Sequence, residues 1–268
     1  MSNLGSQDKR ALNTIQLMRK MARRGLLGTL EYISKQGFNG IWQKVNSYLQ
    51  LSRVHYVNSR FDKQHRVDTW RGITPSQMKT DSGNIDHSEI YTPMPEKTFH
   101  YVLTHLNLDF SDYTFVDFGA GKGKVLLMAA NYPFKEIIGV EFASNLHEIA
   151  EHNIANYRNE QKLCSNITVS LDDACNFRLP EGKCLLFLFA PFKGPVLENV
   201  LENIRQSLIE SPRSVVLCYV DDDLPYSTIW QVDAIVEKWG ILTRRIIGEI
   251  PPDPGSLMPM TGTFWLTS

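Results

Sequence analysis

Hydrophobic and polar positions divide the chain into two parts with different periodicities. From residue 12 to about residue 51, apolar residues recur at three- and four-residue intervals with basic residues between them, which predicts helix. Gly25, Gly28, Gly37 and Gly40 interrupt the pattern. Because glycine weakens a helix, we expect two or three short helices here and not one long one.

Beyond residue 91, short apolar runs alternate with helical segments. The predicted strands are 114–118, 137–142, 167–171, 184–189 and 214–220. Helical patterns at 124–131 and 146–157 separate the first three of them. This alternation predicts a Rossmann-like, doubly wound and mostly parallel sheet with helices on both faces.

The C-terminal segment has a different organisation. Two strand-like runs, 242–250 and 263–267, are joined by a Pro/Gly-rich stretch with no helix between them, which predicts an antiparallel strand at the C-terminal edge of the sheet. The sequence therefore divides into a basic helical arm at 1–60, a polar connector at 61–90 and an α/β domain at 91–268.

Charge is distributed unevenly along the chain. Residues 1–60 hold ten Lys/Arg and two acids, 10 − 2 = +8, whereas the remainder carries −9 to give the net charge of −1. Such an arm is typical of a solvated helical face, and it also permits a nucleic-acid or membrane-surface partner. The sequence lacks a long apolar run, a signal peptide and Cys pairs at two-residue spacing, so we expect a reduced, cytoplasmic protein without a membrane span.

The first predicted strand runs into a glycine-rich segment, VDFGAGKGK at 116–124. A P-loop is excluded because Lys124 stands where its second glycine is required. A dinucleotide fingerprint, which would make the chain a nicotinamide-dependent oxidoreductase, is matched only in part by Gly119, Gly121 and Gly123. For Lys122 and Lys124 we expect solvated positions in the first turn of a helix.

Asp117, two positions ahead of the glycines, favours a third interpretation. A carboxylate suits an ammonium group and not a phosphate, and the bare turn lets a cofactor lie against its backbone. S-adenosylmethionine carries such an ammonium and no phosphate. We therefore expect 117–123, including Ala120, to hold the methionine part of this cofactor.

Further candidates follow in the order that a nucleoside site requires. Glu141 ends the second strand, 22 residues beyond Gly119, where a carboxylate can accept both ribose hydroxyls. Next to it, Phe142 can pack on adenine. Asp173 is placed to accept from the adenine amino group, and Ala174 leaves room for the ring. The methyl group should point to the end of the fourth strand, at the segment LLFLFAPF that contains Phe189.

With these motifs the chain resembles class I S-adenosylmethionine-dependent methyltransferases. More narrowly, FDKQHRVDT at 61–69 and YTPMP at 91–95 resemble a largely uncharacterised bacterial group with a basic helical arm. The likeness implies that Tyr91 and Thr92 line the cofactor pocket. Pro191, Phe192 and Asp68 are candidates for the substrate side, and for Asp68 a loop that hydrogen-bonds itself is the alternative.

The methyl acceptor is not identified by the sequence. Relatives carry Asn-Pro-Phe where this chain has Ala190, so only a backbone carbonyl remains there for a nucleobase amino group. Direct transfer does not require a strong base, and no catalytic residue or metal site stands out. A small molecule, a protein or a nucleic acid remains open as acceptor, and a degenerate methyltransferase fold that only binds is the alternative.

Overall fold

The computed structural model describes residues 38–222 and 227–267. The chain divides into two compact units, Met1–Val57 and Asn58–Ser268. Helix α1 (Phe38–His65) is the first described element, and most of the predicted helical arm lies outside the described residues. The interruption predicted at Gly40 was wrong, because one glycine costs a helix only about 1 kcal/mol and the following turns continue the helix.

The second unit contains a seven-stranded sheet. Its strands are β1 (Thr114–Phe118), β2 (Glu136–Glu141), β3 (Ile167–Leu171), β4 (Cys184–Phe189), β5 (Val215–Asp222), β6 (Leu242–Ile250) and β7 (Met260–Thr267). Their order is β3-β2-β1-β4-β5-β7-β6, and the first five strands are parallel. The predicted doubly wound sheet is confirmed.

The C-terminal strands provide the antiparallel part of the sheet. β7 is antiparallel to β5 on one side and to β6 on the other, so the last strand of the chain lies between them and β6 forms the edge. A proline- and glycine-rich loop joins β6 to β7, as its composition predicts.

Helices cover both faces of this sheet. They are α2 (Glu96–Thr104), α3 (Lys124–Ala129), α4 (Ser144–Asn156), α5 (Gly194–Glu210) and α6 (Ile229–Val236). Successive residues of β1 enter opposite cores: Phe115 packs in the cluster with α2 and α3, and Val116 in the cluster with α5 and α6. Because both faces are covered, all five residues of β1 are buried.

Among the described residues, no helix has the length and apolar character needed to cross a bilayer.

Candidate functional site

The turn after β1, Gly119–Gly123, forms the centre of the candidate site. Its three glycines all have positive φ, at 75° for Gly119, 55° for Gly121 and 79° for Gly123, where other residues are strained. The amides of Gly119 and Ala120 donate to the Val140 carbonyl at 2.9 and 3.0 Å. The turn is therefore fixed to the carboxyl end of β2.

Asp117 is buried, with 2% of its surface exposed, directly before this turn. No donor among the described residues forms a hydrogen bond with its carboxylate. Burial, and then the neighbouring charge of Glu141, raise the pKa of Asp117 well above its usual range. A buried carboxylate without a partner is costly, so this position suits a cationic ligand.

Glu141, at the end of β2, orients the glycine turn. Its Oε2 accepts from the Gly121 amide at 2.7 Å, and its Oε1 accepts from the Ala143 amide at 2.8 Å. Burial raises its pKa to about 7, although these backbone donors act in the opposite direction. Each carboxylate oxygen keeps a lone pair beyond the bond that it accepts.

Tyr91 covers the turn from the connector side. A Cβ atom on Gly121 would collide with its ring, so glycine is required at 121 for space as well as for φ. The Tyr91 hydroxyl donates to the Thr69 carbonyl at 2.8 Å. Burial is the main cause that raises the pKa of Tyr91. The negative charges of four nearby carboxylates raise it further: Asp62, Asp68, Asp117 and Glu141. Tyr91 therefore lies where negative charge accumulates.

The FDKQHRVDT segment has a structural role that its sequence did not reveal. Asp62 accepts from the amides of Thr69 and Trp70 at 2.6 and 2.9 Å, which folds the chain back after α1. Asn153 of α4 accepts from the Asp68 amide at 2.7 Å and donates to the Lys122 carbonyl at 2.8 Å. This segment therefore holds Tyr91 and the glycine turn in place.

The two lysines of the turn are buried, so the expectation that they are solvated was wrong. Both are 2% exposed. Lys122 lies 3.4 Å from Asp68 Oδ1 and 5.9 Å from the centre of the Tyr91 ring. Lys124 donates to Asn58 Oδ1 at 2.7 Å. The connector and the last turns of α1 cover them, which no local sequence pattern shows.

A pocket lies on the other side of the turn, over the ends of β2 and β3. It brings together five residues that the sequence proposed: Gly119, Phe142, Asp173, Ala174 and Phe192. The remaining lining consists of Asn84, Ser88, Val140, Asp172 and Val196. Two of these, Asn84 and Ser88, come from the connector.

Asp173 already has several hydrogen-bond donors. Its Oδ2 accepts from Ser82 Oγ at 2.9 Å and from Asn84 Nδ2 at 2.7 Å, while Oδ1 accepts from the Cys175 amide at 3.0 Å. Despite partial burial, these bonds lower the pKa of Asp173. Asp173 is thus an ionised group that holds the connector.

Four other proposed residues lie around this centre. Thr92 is exposed and donates to the Ile90 carbonyl at 3.3 Å, and Ala120 is buried in the core below the turn. Phe189, at the end of β4, is half-buried. Pro191 packs against Gly119 so closely that a Cβ there would collide with it.

Sequence reasoning missed three polar residues whose side chains join the connector to the α/β domain. Ser82, Asn84 and Asn153 pair with partners up to 91 positions away. The only signal for Ser82 and Asn84 is a concentration of small polar residues in a turn-rich stretch, which is typical of many surface loops. Asn153 lies within a helical pattern and carries no such signal.

A family model matches part of this chain. Residues 72–171 match the model of the histone methylation protein DOT1 family. No curated protein matches the chain.

Solved structures of methyltransferases are similar in fold. Precorrin-6y C5,15-methyltransferase from Geobacter metallireducens GS-15 is 17% identical, with 73% of this chain and 97% of that chain covered and a TM-score of 0.48. A SAM-dependent methyltransferase from Aquifex aeolicus is 16% identical, with 63% and 89% covered and a TM-score of 0.46. Magnesium protoporphyrin IX methyltransferase from Synechocystis PCC 6803, solved with bound SAM, is 12% identical, with 65% and 77% covered and a TM-score of 0.44.

The strand order and the DOT1 match over residues 72–171 confirm the resemblance to class I methyltransferases, and the chain has their fold.

Proposed function

We propose that this chain is an S-adenosylmethionine-dependent methyltransferase. The observation that carries the proposal is Asp117, a buried carboxylate at the end of β1 to which no described residue donates. A primary ammonium would supply both the missing charge and the missing donors. A nucleotide phosphate would instead be repelled by Asp117 and Glu141.

The surrounding residues fit the rest of this cofactor. The Gly119–Gly123 backbone would lie along its methionine part, and Glu141, with lone pairs to spare, would accept from the ribose hydroxyls. Phe142 and Ala174 would enclose the adenine ring. When bound, S-adenosylmethionine supplies an electrophilic methyl group on a sulfonium.

The chain contributes position and a covered site. Glu141 fixes the glycine turn, and Tyr91, held by the Thr69 carbonyl, covers it. Since in-line transfer depends on the distance and angle of attack, such fixed groups supply catalysis through orientation. A general base is not required when the acceptor is itself a good nucleophile.

The acceptor side remains to be identified by experiment. The DOT1 match ends at residue 171, before β4 and before the segment from Ala190 to Phe192. It therefore supports the cofactor and leaves a small molecule, a protein or a nucleic acid as acceptor. Incubation of a cell extract with the protein and methyl-labelled cofactor, followed by fractionation of the label, identifies its class.

Calorimetry tests the cofactor assignment directly. We expect the protein to bind S-adenosylmethionine and S-adenosylhomocysteine but not NADH. Asp117→Asn keeps the shape of the side chain and removes its charge. It should weaken the binding of both sulfur ligands by roughly 10- to 100-fold, as expected for a charged hydrogen bond worth about 1.5–3 kcal/mol.

Asp222→Asn is the matched control, because Asp222 is a partly buried acid at the end of β5 whose pKa burial raises to about 6. This variant should retain the affinity of the wild type. NADH binding without a response to the sulfur ligands would identify a nicotinamide-dependent enzyme instead. Ligand binding without methyl transfer to any fraction would favour a binding module.

A further inference from the structure

The hydrogen bonds of Asp173 raise the question of which group contacts the nucleobase. Three donors, from Ser82, Asn84 and Cys175, already bond to its two oxygens. A carboxylate oxygen accepts about two hydrogen bonds, so Oδ2 is fully used and one acceptor position, on Oδ1, remains for a ligand amino group. Asp172, the other acid of the pocket, turns back to accept the Asp173 amide at 2.8 Å.

Asn84 lines the same pocket, and Asp173 determines the orientation of its amide. An ionised carboxylate accepts hydrogen bonds and cannot donate them, so the Asn84 group that lies 2.7 Å from Asp173 Oδ2 must be the NH₂. The Asn84 carbonyl oxygen is then the amide's other polar atom. No described residue donates to it.

We infer that Asn84 is the residue that recognises the exocyclic amino group of the bound purine, and that Asp173 is a positioning residue that holds Asn84 as an acceptor. The inference rests on the proposed function. An amide that was free to rotate by 180° would accept from a 6-amino group or donate to a 6-oxo group equally well. Because rotation would set the Asn84 carbonyl against the Asp173 carboxylate, only the amino-accepting orientation is stable.

The affinity for two ligands that differ in the purine 6-substituent, and with it in the hydrogen on N1, tests this role. S-adenosylhomocysteine carries the 6-amino group, and its S-inosyl analogue carries a 6-oxo group in the same position. We expect the wild type to prefer the adenosyl ligand and Asn84→Ala to reduce that preference by about tenfold, as expected for one hydrogen bond. The ratio of two dissociation constants measured on one variant does not depend on its folded fraction, so partial unfolding of the variant does not obscure the result.

Ser82→Ala is the matched control. Ser82 donates to the same Asp173 oxygen but lies outside the described lining of the pocket, so this variant should keep the wild-type preference within about threefold. An unchanged preference in Asn84→Ala would overturn the inference. So would tighter binding of both ligands, which would show that the Asn84–Asp173 bond only closes the pocket, or a loss of preference in Asp172→Asn alone. A wild type that binds neither ligand would overturn the proposed function itself.

Discussion

The Nζ atom of Lys124 donates a 2.7 Å hydrogen bond to Oδ1 of Asn58, and each residue is only 2% exposed. Nδ2 of Asn58 in turn donates to the Gly255 carbonyl at 3.1 Å. The first residue of α3 is thereby connected to the end of α1 and to the loop between β6 and β7. A buried ammonium thus joins three segments that are distant in sequence.

This buried ammonium predicts a stability difference that grows with pH. Burial lowers the pKa of Lys124 to about 8, so between pH 8 and 10.5 the unfolded chain binds more protons than the folded one. The unfolding free energy of the wild type should therefore rise, relative to Lys124→Met, by about 3 kcal/mol across this range. Urea unfolding at several pH values measures it, and Lys97→Met, at an exposed site on α2, should follow the wild type. A constant difference between wild type and Lys124→Met would contradict the prediction.

The two acids of the site predict the opposite trend at lower pH. Burial raises the pKa of Asp117 and takes that of Glu141 to about 7, so the folded protein retains protons that the unfolded chain has lost. Without ligand, the unfolding free energy should fall as the pH rises from about 4.5 to about 7. Asp117→Asn should make this fall smaller, because one of the two acids no longer titrates. Chemical denaturation at pH 5, 6 and 7 provides the comparison, and equal slopes in both proteins would refute it.

Alanine substitutions at Gly121 and Gly240 distinguish the stability cost of a positive φ from the cost of a steric collision. Both have positive φ, at 55° and 66°, but a Cβ would collide with Tyr91 only at 121, and at 240 it would meet no atom within 4 Å. We expect Gly240→Ala to cost about 1 kcal/mol through strain. Gly121→Ala should cost more and should abolish ligand binding, since Tyr91 must move.

Removal of the Tyr91 ring tests whether collision with this ring causes the extra cost of Gly121→Ala. In a Tyr91→Ala background, the additional cost of Gly121→Ala should fall to about the cost of Gly240→Ala. Thermal unfolding of the four proteins gives the coupling. If the cost of Gly121→Ala is the same in both backgrounds, contact with Tyr91 is not its cause.

Ala190 predicts a stabilising substitution. Its φ is 37°, in the left-handed region that penalises alanine by roughly 1–2 kcal/mol. Ala190→Gly should raise the unfolding free energy by up to about 1 kcal/mol, and Ala190→Asn by less, because asparagine tolerates this region. Ala155→Gly, at an exposed position in helix α4, should instead lower the unfolding free energy by about 1 kcal/mol. Urea midpoints measure both, and a loss of stability in Ala190→Gly would show that the strain is absent.

Local patterns were sufficient for the framework of this protein. Strands β1, β3, β4 and β6 have the predicted bounds, and β2, β5, β7 and α4 differ by one to three residues at their ends. The acids Asp117 and Glu141 were also found from sequence, because the ends of parallel strands meet at one edge of a sheet. For Asp117 and Glu141, the short segment that predicts the strand also contains the acid that the strand positions.

Only the tertiary structure decided what surrounds these acids. Lys122 and Lys124 occupy positions typical of a solvated helix start, yet segments from before residue 70 cover both. The partners of Asp173 are likewise separated from it by 89 and 91 positions. The order of elements and the Asp117 carboxylate follow from periodicity and spacing within the sequence. The burial of the lysines, the hydrogen bonds of Asp173 and the orientation of Asn84 depend on long-range contacts, and these form only when the connector packs across the sheet.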